Sequence, residues 1–335
     1  MALRHCFIVP DLNGPISGGT LYNRRLIAAL GAAGIDCAAL DLGQGRDALH
    51  ADPSAVFWLD SLFLSALPEL ERAAPGRVGL VLHYLPSLLR HGDELSAREL
   101  AADEAFALER TRRFLLPSAF MQQTLERLGA SGRLFVVVEP GRPAAPALIR
   151  PRGGGVRALV VANLTPNKGV EPLLAALAGE LGESDRFELD VIGSCSVDPA
   201  YARSCERWLG SGRVRLLGAL APQEVTLRMA ESNLLISASH MESYGMALAE
   251  ARALGLPIVA LRGGNTAVHV MAGAGGELVG SHAALARACV RLCRDGAEHE
   301  RRLALAHAGR LAERSWSDAA REFVLQLSTA AAGVA

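Results

Sequence analysis

Lysine is almost absent from this chain of 335 residues: of its 34 Lys and Arg residues, only Lys168 is a lysine. Aromatic residues are also few, at 5%, and no basic block is interleaved with them, which argues against a nucleic-acid partner. No apolar run approaches the roughly 18 residues that a membrane-spanning helix needs. The start of the chain has too short an apolar run for a signal peptide and no small-residue cleavage site. These absences predict a cytoplasmic protein.

Cysteine is also sparse, and the six cysteines are scattered without the cysteine–histidine spacing of a zinc site. We therefore expect reduced, mostly buried thiols. Half of the residues are hydrophobic and the net charge is −1, so the chain has enough apolar surface for sizeable cores. Its length predicts two domains.

Short continuous runs of Val, Ile and Leu alternate with helical patterns along the chain. Because these runs lack polar–apolar alternation, they predict strands covered on both faces, and hence parallel sheets with crossover helices. The predicted strands are 3–10, 55–60, 78–84, 113–117, 133–139, 156–164, 187–193, 213–217, 233–239, 257–261 and 276–279. The predicted helices include 19–33, 118–128, 168–181, 222–231, 244–254 and 282–294.

A stretch rich in proline and then in glycine, residues 139–155, predicts an interdomain linker. It separates a first Rossmann-like domain, 1–145, from a second, 156–315. The amphipathic segment 316–335 is predicted to be a helix that crosses back to the first domain. Ligands of such sheets bind beyond the carboxyl ends of the strands, so we expect the chemistry in a cleft where the two domains face each other.

The stretch 239–257 carries the strongest local signal for a ligand site. A buried strand ends in a polar loop with Glu242, and a helix is predicted from near Tyr244 to Gly255, with Glu250 about two turns in. Eight helical positions give about 80° of rotation and about 12 Å of rise, which suits two carboxylates holding separate parts of an elongated ligand. That spacing does not suit a shared proton. The alternative is that Glu242 only caps the helix and Glu250 is a solvated surface residue.

Two features predict an anion-binding site. Lys168 lies where an apolar strand turns into a helix, and a chain that uses Arg elsewhere has kept a compact, mobile ammonium there. The alternative is chance, since a single lysine must fall somewhere. The N–H groups of Tyr244, Gly245 and Met246 would bind an anion at the start of the second helix, helped by the helix dipole.

Together these segments resemble the retaining glycosyltransferases of family 4, the glycosyl transferases group 1, most clearly between residues 156 and 310. The two glutamates match the family's paired-glutamate motif, and 162–169 resembles its strand-to-helix phosphate-binding segment. Further matching segments, in the family's order, are 15–20, 81–86, 116–120, 138–141, 214–218, 232–239 and 255–260. The resemblance implies an α/β protein of the GT-B fold, with two Rossmann-like domains facing across a cleft.

The resemblance also implies roles for the residues of the second domain. Lys168 would contact the donor diphosphate and stabilise the charge that builds on it as the sugar leaves. Glu242 would bind donor-sugar hydroxyls, Glu250 would bind the ribose hydroxyls, and the N–H groups at the helix start would contact sugar or phosphate. Gly193 and Ser194 lie where the family often lines the base pocket.

In the first domain, the resemblance implies that Gly18 and Gly19 let the backbone approach the diphosphate, because an added Cβ would block it. His83 would sit near the reacting centre and donate a hydrogen bond to a sugar hydroxyl. The alternative for His83 is a histidine at a strand end whose hydrogen bonds are satisfied within the protein.

One residue departs from the family pattern. The family commonly has an arginine five residues before the lysine, whereas this chain has Asn163 among its donor-binding candidates. Two cations stabilise a leaving diphosphate better than one, so either another arginine, such as Arg228 or Arg262, fills the gap or the donor is handled differently.

The implied reaction moves a sugar from a nucleotide-diphosphate donor, by default a uridine diphosphate sugar, to a hydroxyl with retention of configuration. The resemblance implies front-face attack assisted by the leaving phosphate, without a cofactor or an essential metal. The sequence shows no obvious enzymic nucleophile and no Asp-x-Asp pair placed for Mg²⁺. The acceptor, whether a small molecule, a glycan or a lipid-linked molecule, is not identified. The mixed charges of 93–113 argue against strong attraction to anionic lipids and support peripheral membrane contact only weakly.

Two other classes of protein remain as alternatives. The first is a catalytically weak or inactive nucleotide- or sugar-binding protein on the same scaffold, for which Asn163 is the best argument. The second is a nicotinamide-dependent dehydrogenase, against which no G-x-G-x-x-G follows the first strand.

Overall fold

The computed structural model describes residues 3–14, 16–142 and 155–332. Pro15, at the start of the predicted glycine loop, and residues 143–154, in the predicted linker, lie outside the described residues. The chain divides into two compact units, of which the first is Met1–Gly141 with Arg314–Ala335 and the second is Arg142–Glu313.

Twelve strands and fourteen α-helices occur among the described residues. The strands are β1 (His5–Ile8), β2 (Cys37–Leu40), β3 (Val56–Asp60), β4 (Val78–Val81), β5 (Arg113–Leu116), β6 (Leu134–Val137), β7 (Val156–Val161), β8 (Phe187–Ile192), β9 (Val214–Gly218), β10 (Leu234–Ser237), β11 (Ile258–Leu261) and β12 (Glu277–Val279). The helices are α1 (Gly18–Ala32), α2 (Leu42–Ala51), α3 (Leu67–Ala73), α4 (Pro86–His91), α5 (Ala102–Arg110), α6 (Ala119–Leu125), α7 (Val170–Glu180), α8 (Pro199–Glu206), α9 (Pro222–Glu231), α10 (Met246–Leu254), α11 (Thr266–His269), α12 (His282–Arg294), α13 (Gly296–Ala308) and α14 (Trp316–Ala332).

The first unit is built on a six-stranded sheet in the order β2-β1-β3-β4-β5-β6, in which every pair is parallel. Its inner strands β1, β3, β4 and β5 are almost entirely buried, as their continuous apolar runs predict. The sequence did not predict β2, because its residues, Cys-Ala-Ala-Leu, are few, poor in β-branched types and partly exposed at the edge of the sheet.

The C-terminal helix α14 completes the core of the first unit. Ala319, Ala320 and Phe323 are fully buried there, and they share one apolar cluster with residues of β1, β3 and α1. The side chain of Gln326 accepts a hydrogen bond from the N–H of Val137 at 2.6 Å and donates one to its carbonyl at 2.7 Å. Because β6 is an edge strand, this amide occupies backbone groups that a further strand would otherwise pair.

The second unit is built on another parallel six-stranded sheet, in the order β12-β11-β10-β7-β8-β9. Alternate residues of its central strand β7 enter different cores: Val160 packs with α7 and α12 on one face, and Leu159 packs with α9 and α10 on the other. All strands predicted from the sequence are present in the two sheets. The carboxyl ends of β7 and its neighbour β10 meet at one edge of this sheet.

Candidate functional site

The turn between β7 and α7 presents Lys168 at the carboxyl edge of the second sheet. Pro166–Lys168 forms one turn of 3₁₀ helix, and Gly169 then adopts a left-handed conformation, with φ of 62°, before α7 begins. A Cβ at Gly169 would overlap the carbonyl oxygen of Ala238, which follows β10. Glycine is therefore required for the turn to lie this close to β10 and to place Lys168 beside the loop after it.

The lone lysine is paired with one of the two predicted glutamates. Lys168 Nζ lies 2.7 Å from Glu242 Oε1 and 3.5 Å from the hydroxyl of Ser239. The two charged side chains are 26% and 17% exposed, respectively, so solvent still reaches the pair. The sequence predicted both residues as ligand contacts, and the structure adds that their side chains are in direct contact with each other.

Two residues that sequence reasoning missed support the loop that carries Glu242. The backbone N–H of Asn265 donates to the carbonyl of Glu242 at 2.7 Å, and its side-chain amide donates to the carbonyl of Tyr244 at 2.9 Å. His269 Nε2 also donates to the Tyr244 carbonyl, at 2.7 Å. Burial lowers the pKa of His269 to about 4, so the ring is neutral near pH 7 and carries its proton on the nitrogen that faces the carbonyl. Only the polar run after β11 could have signalled these supports in the sequence.

Helix α10 begins at Met246, after Gly245, rather than near Tyr244. Glu250 is therefore one turn into the helix and not two, and it is partly buried. The rotation and rise calculated for eight helical positions are wrong for the two glutamates, because Glu242 lies in the preceding loop. Helix α10 thus begins four residues after Glu242, which is the partner of Lys168.

Asn163 has a structural contact that the sequence did not suggest. Its Oδ1 accepts a hydrogen bond from the backbone N–H of Ser194 at 2.9 Å, which ties the end of β7 to the segment after β8. The backbone carbonyl of Ser194 in turn accepts a hydrogen bond from the N–H of Leu164, the residue after Asn163, at 3.0 Å. Asn163, Gly193 and Ser194, all predicted donor-binding residues, are thus brought together at the carboxyl edge.

The two arginines proposed to replace the missing cation lie at different edges of the second sheet. Arg228 bonds to Glu231 at 3.4 Å and lines a surface hollow with Arg157 and Glu188, near the first residues of β7 and β8. It is on the edge opposite Lys168, so its assignment to the diphosphate is wrong. Arg262 directly follows β11 at the carboxyl edge and is exposed, and it remains a candidate.

In the first unit, His83 belongs to a buried hydrogen-bonded triad with Asn23 and Asp60. His83 Nε2 lies 3.0 Å from Asn23 Oδ1 and 3.3 Å from Asp60 Oδ2, and the Asn23 amide donates to Asp60 Oδ2 at 2.6 Å. Sequence reasoning singled out His83 and missed the other two. Asp60 could have been identified from the sequence as a carboxylate at the end of an apolar strand, a position that is buried in the fold.

The electrostatics of the triad favour an ionised carboxylate. Burial alone would raise the pKa of Asp60, but the hydrogen bonds that it accepts from His83, from the N–H of Leu62 and from the amide of Asn23 together hold the pKa below its ordinary value. Asp60 is therefore a carboxylate near neutral pH.

Gly18 and Gly19, the two glycines predicted to lie close to a ligand, form the start of α1 near this triad. Gly18 is the first residue of α1, and Ser17 caps the helix by accepting from the N–H of Thr20 at 3.1 Å. A Cβ on Gly19 would lie 3.0 Å from Cδ2 of His83. Gly19 and His83, which lie 64 positions apart in two separate motifs of the sequence, are thus close neighbours within the first unit.

Across residues 3–14, 16–142 and 155–332, no three His, Cys, Asp or Glu side chains are grouped so that they could hold a metal ion. No helix in those ranges combines the length and the apolar character needed to cross a bilayer. The six cysteines are free.

Comparison with known proteins finds similarity to one family of enzymes within the second half of the chain. Residues 155–295 match the family model described as "Glycosyl transferases group 1". D-inositol 3-phosphate glycosyltransferase of Acidothermus cellulolyticus is 32% identical over 211 residues, which cover 56% of this chain and 47% of that protein. The enzyme of the same name from Geodermatophilus obscurus is 32% identical over 178 residues, which cover 47% of this chain and 39% of that protein. The chain thus spans less than half the length of these relatives.

Solved structures share the architecture over nearly the whole chain. Sucrose-phosphate synthase of Thermosynechococcus elongatus superposes with a TM-score of 0.76 at 17% identity, covering 99% of this chain and all of that one. Anabaena HepE in complex with UDP-glucose superposes with a TM-score of 0.75 at 17% identity, covering 98% of this chain and 100% of that one. At such low identity these similarities show the fold alone, which is the GT-B fold predicted from the sequence.

Proposed function

Because residues 155–295 match the group 1 glycosyltransferases and the fold is GT-B, we propose that the protein is a retaining glycosyltransferase. It would transfer a sugar from a nucleotide diphosphate, with uridine diphosphate as the first candidate, to a hydroxyl of an acceptor. The UDP-glucose bound to Anabaena HepE supports the choice of uridine diphosphate.

The observation that carries the proposal is the contact between Lys168 and Glu242 at the carboxyl edge of the second sheet. Parallel α/β sheets bind ligands at this edge. The 2.7 Å pair offers an ammonium for an anion and a carboxylate that accepts hydrogen bonds from hydroxyls, side by side. A sugar diphosphate presents these two chemistries on adjacent groups.

The proposal also assigns roles to the other candidate residues of the second unit. Glu250, one turn into α10, would bind the ribose hydroxyls. Gly193 and Ser194 would line the base side of the nucleotide, Asn163 would lie on the donor where the family commonly has an arginine, and the N–H groups at the start of α10 would contact sugar or phosphate. In the first unit, we propose three ligand-binding residues: Gly18 and Gly19 at the start of α1, and His83 close to Gly19.

In the proposed mechanism the protein positions the reactants and stabilises developing charge. As the bond between the anomeric carbon and the phosphate oxygen breaks, negative charge grows on the diphosphate, and the Lys168 ammonium would offset it. Glu242 would hold the sugar hydroxyls while the ring changes shape. The acceptor hydroxyl would attack from the face that the diphosphate leaves and give its proton to a phosphate oxygen. Metal independence is part of this proposal.

A thermal-shift series with nucleotide sugars tests donor binding. The sugars of UDP, ADP and GDP should be compared at saturating concentration, since a ligand present at 100 times its Kd stabilises the folded state by about 2.7 kcal/mol. We expect a UDP-sugar to raise the melting temperature most. Failure of every nucleotide sugar to raise it would overturn the proposal.

A transfer assay separates the enzyme from the alternative of a catalytically weak or inactive binder. Single-turnover reactions with the stabilising donor would include D-inositol 3-phosphate as one acceptor, since the sequence relatives carry that name. Nuclear magnetic resonance of the product then reports whether the anomeric configuration is retained. Binding of a donor without hydrolysis or transfer would favour the binder, for which Asn163 in place of an arginine is the specific observation.

A further inference from the structure

The triad of the first unit is organised around Asp60. This residue ends β3, and its register partner Val81 ends β4, two positions before His83. Asp60 Oδ1 accepts the N–H of Leu62 at 2.8 Å, and its other oxygen faces both Asn23 and His83. The carboxylate therefore connects a strand end, a helix side chain and an imidazole, with Asn23 and Asp60 each about 1% exposed.

The neighbours of the imidazole determine which ring nitrogen carries the proton. The Asn23 amide donates to Asp60 at 2.6 Å, because the reverse orientation would place two oxygens at that distance. Its own oxygen must then face His83 Nε2, which also faces the Asp60 carboxylate. Two acceptors around one nitrogen require that nitrogen to be the donor.

The two ring nitrogens of His83 differ in their protein partners. Nδ1 of His83 makes no hydrogen bond to any of the described residues, and the side chain keeps 10% of its surface exposed. A Cβ added to Gly19 would lie 3.0 Å from Cδ2 of the ring, so the start of α1 passes close to one edge of the imidazole. An imidazole that donates through Nε2 can use Nδ1 as an acceptor in a defined direction.

We propose that Asp60 and Asn23 are positioning residues that hold the proton of His83 on Nε2, so that Nδ1 accepts a hydrogen bond from a ligand hydroxyl. The proposal rests on the proposed function for the presence of a sugar ligand. It reverses the expectation from the sequence that His83 donates. An unprotonated nitrogen would also disfavour a phosphate oxygen at this position, since both groups are acceptors.

The tautomer can be measured directly by long-range ¹H–¹⁵N spectra of the histidine rings in the full chain without ligand. His83→Gln identifies the signals of His83 by removing them. We expect a neutral ring protonated on Nε2 at pH 7.5. A ring protonated on Nδ1, or on both nitrogens, would overturn the proposal, and this measurement needs neither catalytic activity nor any further variant.

The role of Asp60 is tested by Asp60→Asn with Glu104→Gln as a matched control. Glu104 is another fully buried carboxylate of the first unit, bonded to the N–H groups of Ser87 and Ala101 at 2.8 Å each. In Asp60→Asn we expect the form protonated on Nδ1 to become populated, whereas Glu104→Gln should keep the parent tautomer. An unchanged tautomer in Asp60→Asn, or the same change in both variants, would show that Asp60 does not position the ring.

Kinetics provide a second readout once a donor and an acceptor are known. Asp60→Asn should lower kcat about tenfold and leave KM for the donor within a factor of about two. This result is expected when a hydrogen bond is stronger in the transition state than in the bound substrate. Loss of kcat in proportion to loss of folded protein would indicate only a structural role. Absence of transfer in the parent chain would count against the proposed function, while the spectra would still decide the tautomer.

Discussion

Replacing Lys168 by alanine should separate catalysis from stability. The ammonium bonds Glu242 at 2.7 Å, but it is 26% exposed, so the ion pair should contribute no more than about 1 kcal/mol to folding. For a unit of the size of Arg142–Glu313, that corresponds to a shift in melting temperature of about 2–4 °C. The same ammonium, facing a leaving diphosphate, should be worth about 3–4 kcal/mol in the barrier, the scale of one preorganised oxyanion donor.

The assay is single-turnover transfer with the cognate donor, followed by a melting curve for each variant. Lys168→Ala should slow the chemical step by about 10²–10³-fold with a nearly unchanged melting temperature. Arg215→Ala is the matched control, because Arg215 bonds Asp190 at 2.6 Å in the same unit but near the start of β9, away from the proposed site. It should leave the rate unchanged.

Lys168→Arg tests whether the compact ammonium matters. A planar guanidinium cannot follow the phosphate as the bond stretches, so full rate should not return. A Lys168→Arg protein as fast as the parent would show that the lysine is an accident of composition. A Lys168→Ala protein within about threefold of the parent rate would refute the assignment of leaving-group stabilisation to this residue.

Three further substitutions address the same unit. Gly169→Ala should destabilise the protein by about 2–3 kcal/mol in urea unfolding, because its Cβ overlaps the Ala238 carbonyl at positive φ, whereas Gly179→Ala in α7 should be neutral or stabilising. Asn163→Arg should increase donor affinity in titration calorimetry if the missing cation matters, yet lower the melting temperature, because it removes an acceptor worth about 1 kcal/mol. Glu250→Ala should weaken nucleotide binding in calorimetry more than it slows turnover of the saturated protein, because ribose contacts precede and outlast the reaction; equal effects would contradict the ribose assignment.

The fold followed from the sequence where burial alone determines structure. Strands such as β7 and β10 are covered on both faces, so their continuous apolar runs could be identified directly. The strand that was missed, β2, is a partly exposed edge strand containing two alanines, and neither burial nor propensity distinguishes it from a loop.

The site was predicted as separate residues rather than as an arrangement. Lys168 and Glu242 each stood out, but they are 74 positions apart, and only the neighbouring positions of β7 and β10 bring them into contact. Asn23 and Asp60 were missed because an Asn in a helix and an Asp at a strand end are ordinary in sequence. Their importance depends on which imidazole they face, and that is decided by packing.

The position of α14 bears on how the protein is made. The first unit takes its strands from residues before Gly141, yet Ala319, Ala320 and Phe323 fill its core, so this unit is discontinuous along the chain. Domains generally fold as units while the ribosome adds residues in order. Here the unit that begins first is finished last, since its final core residues are translated only after the whole of Arg142–Glu313. A nascent chain halted before α14 should therefore carry a protease-resistant second unit and a protease-sensitive first one.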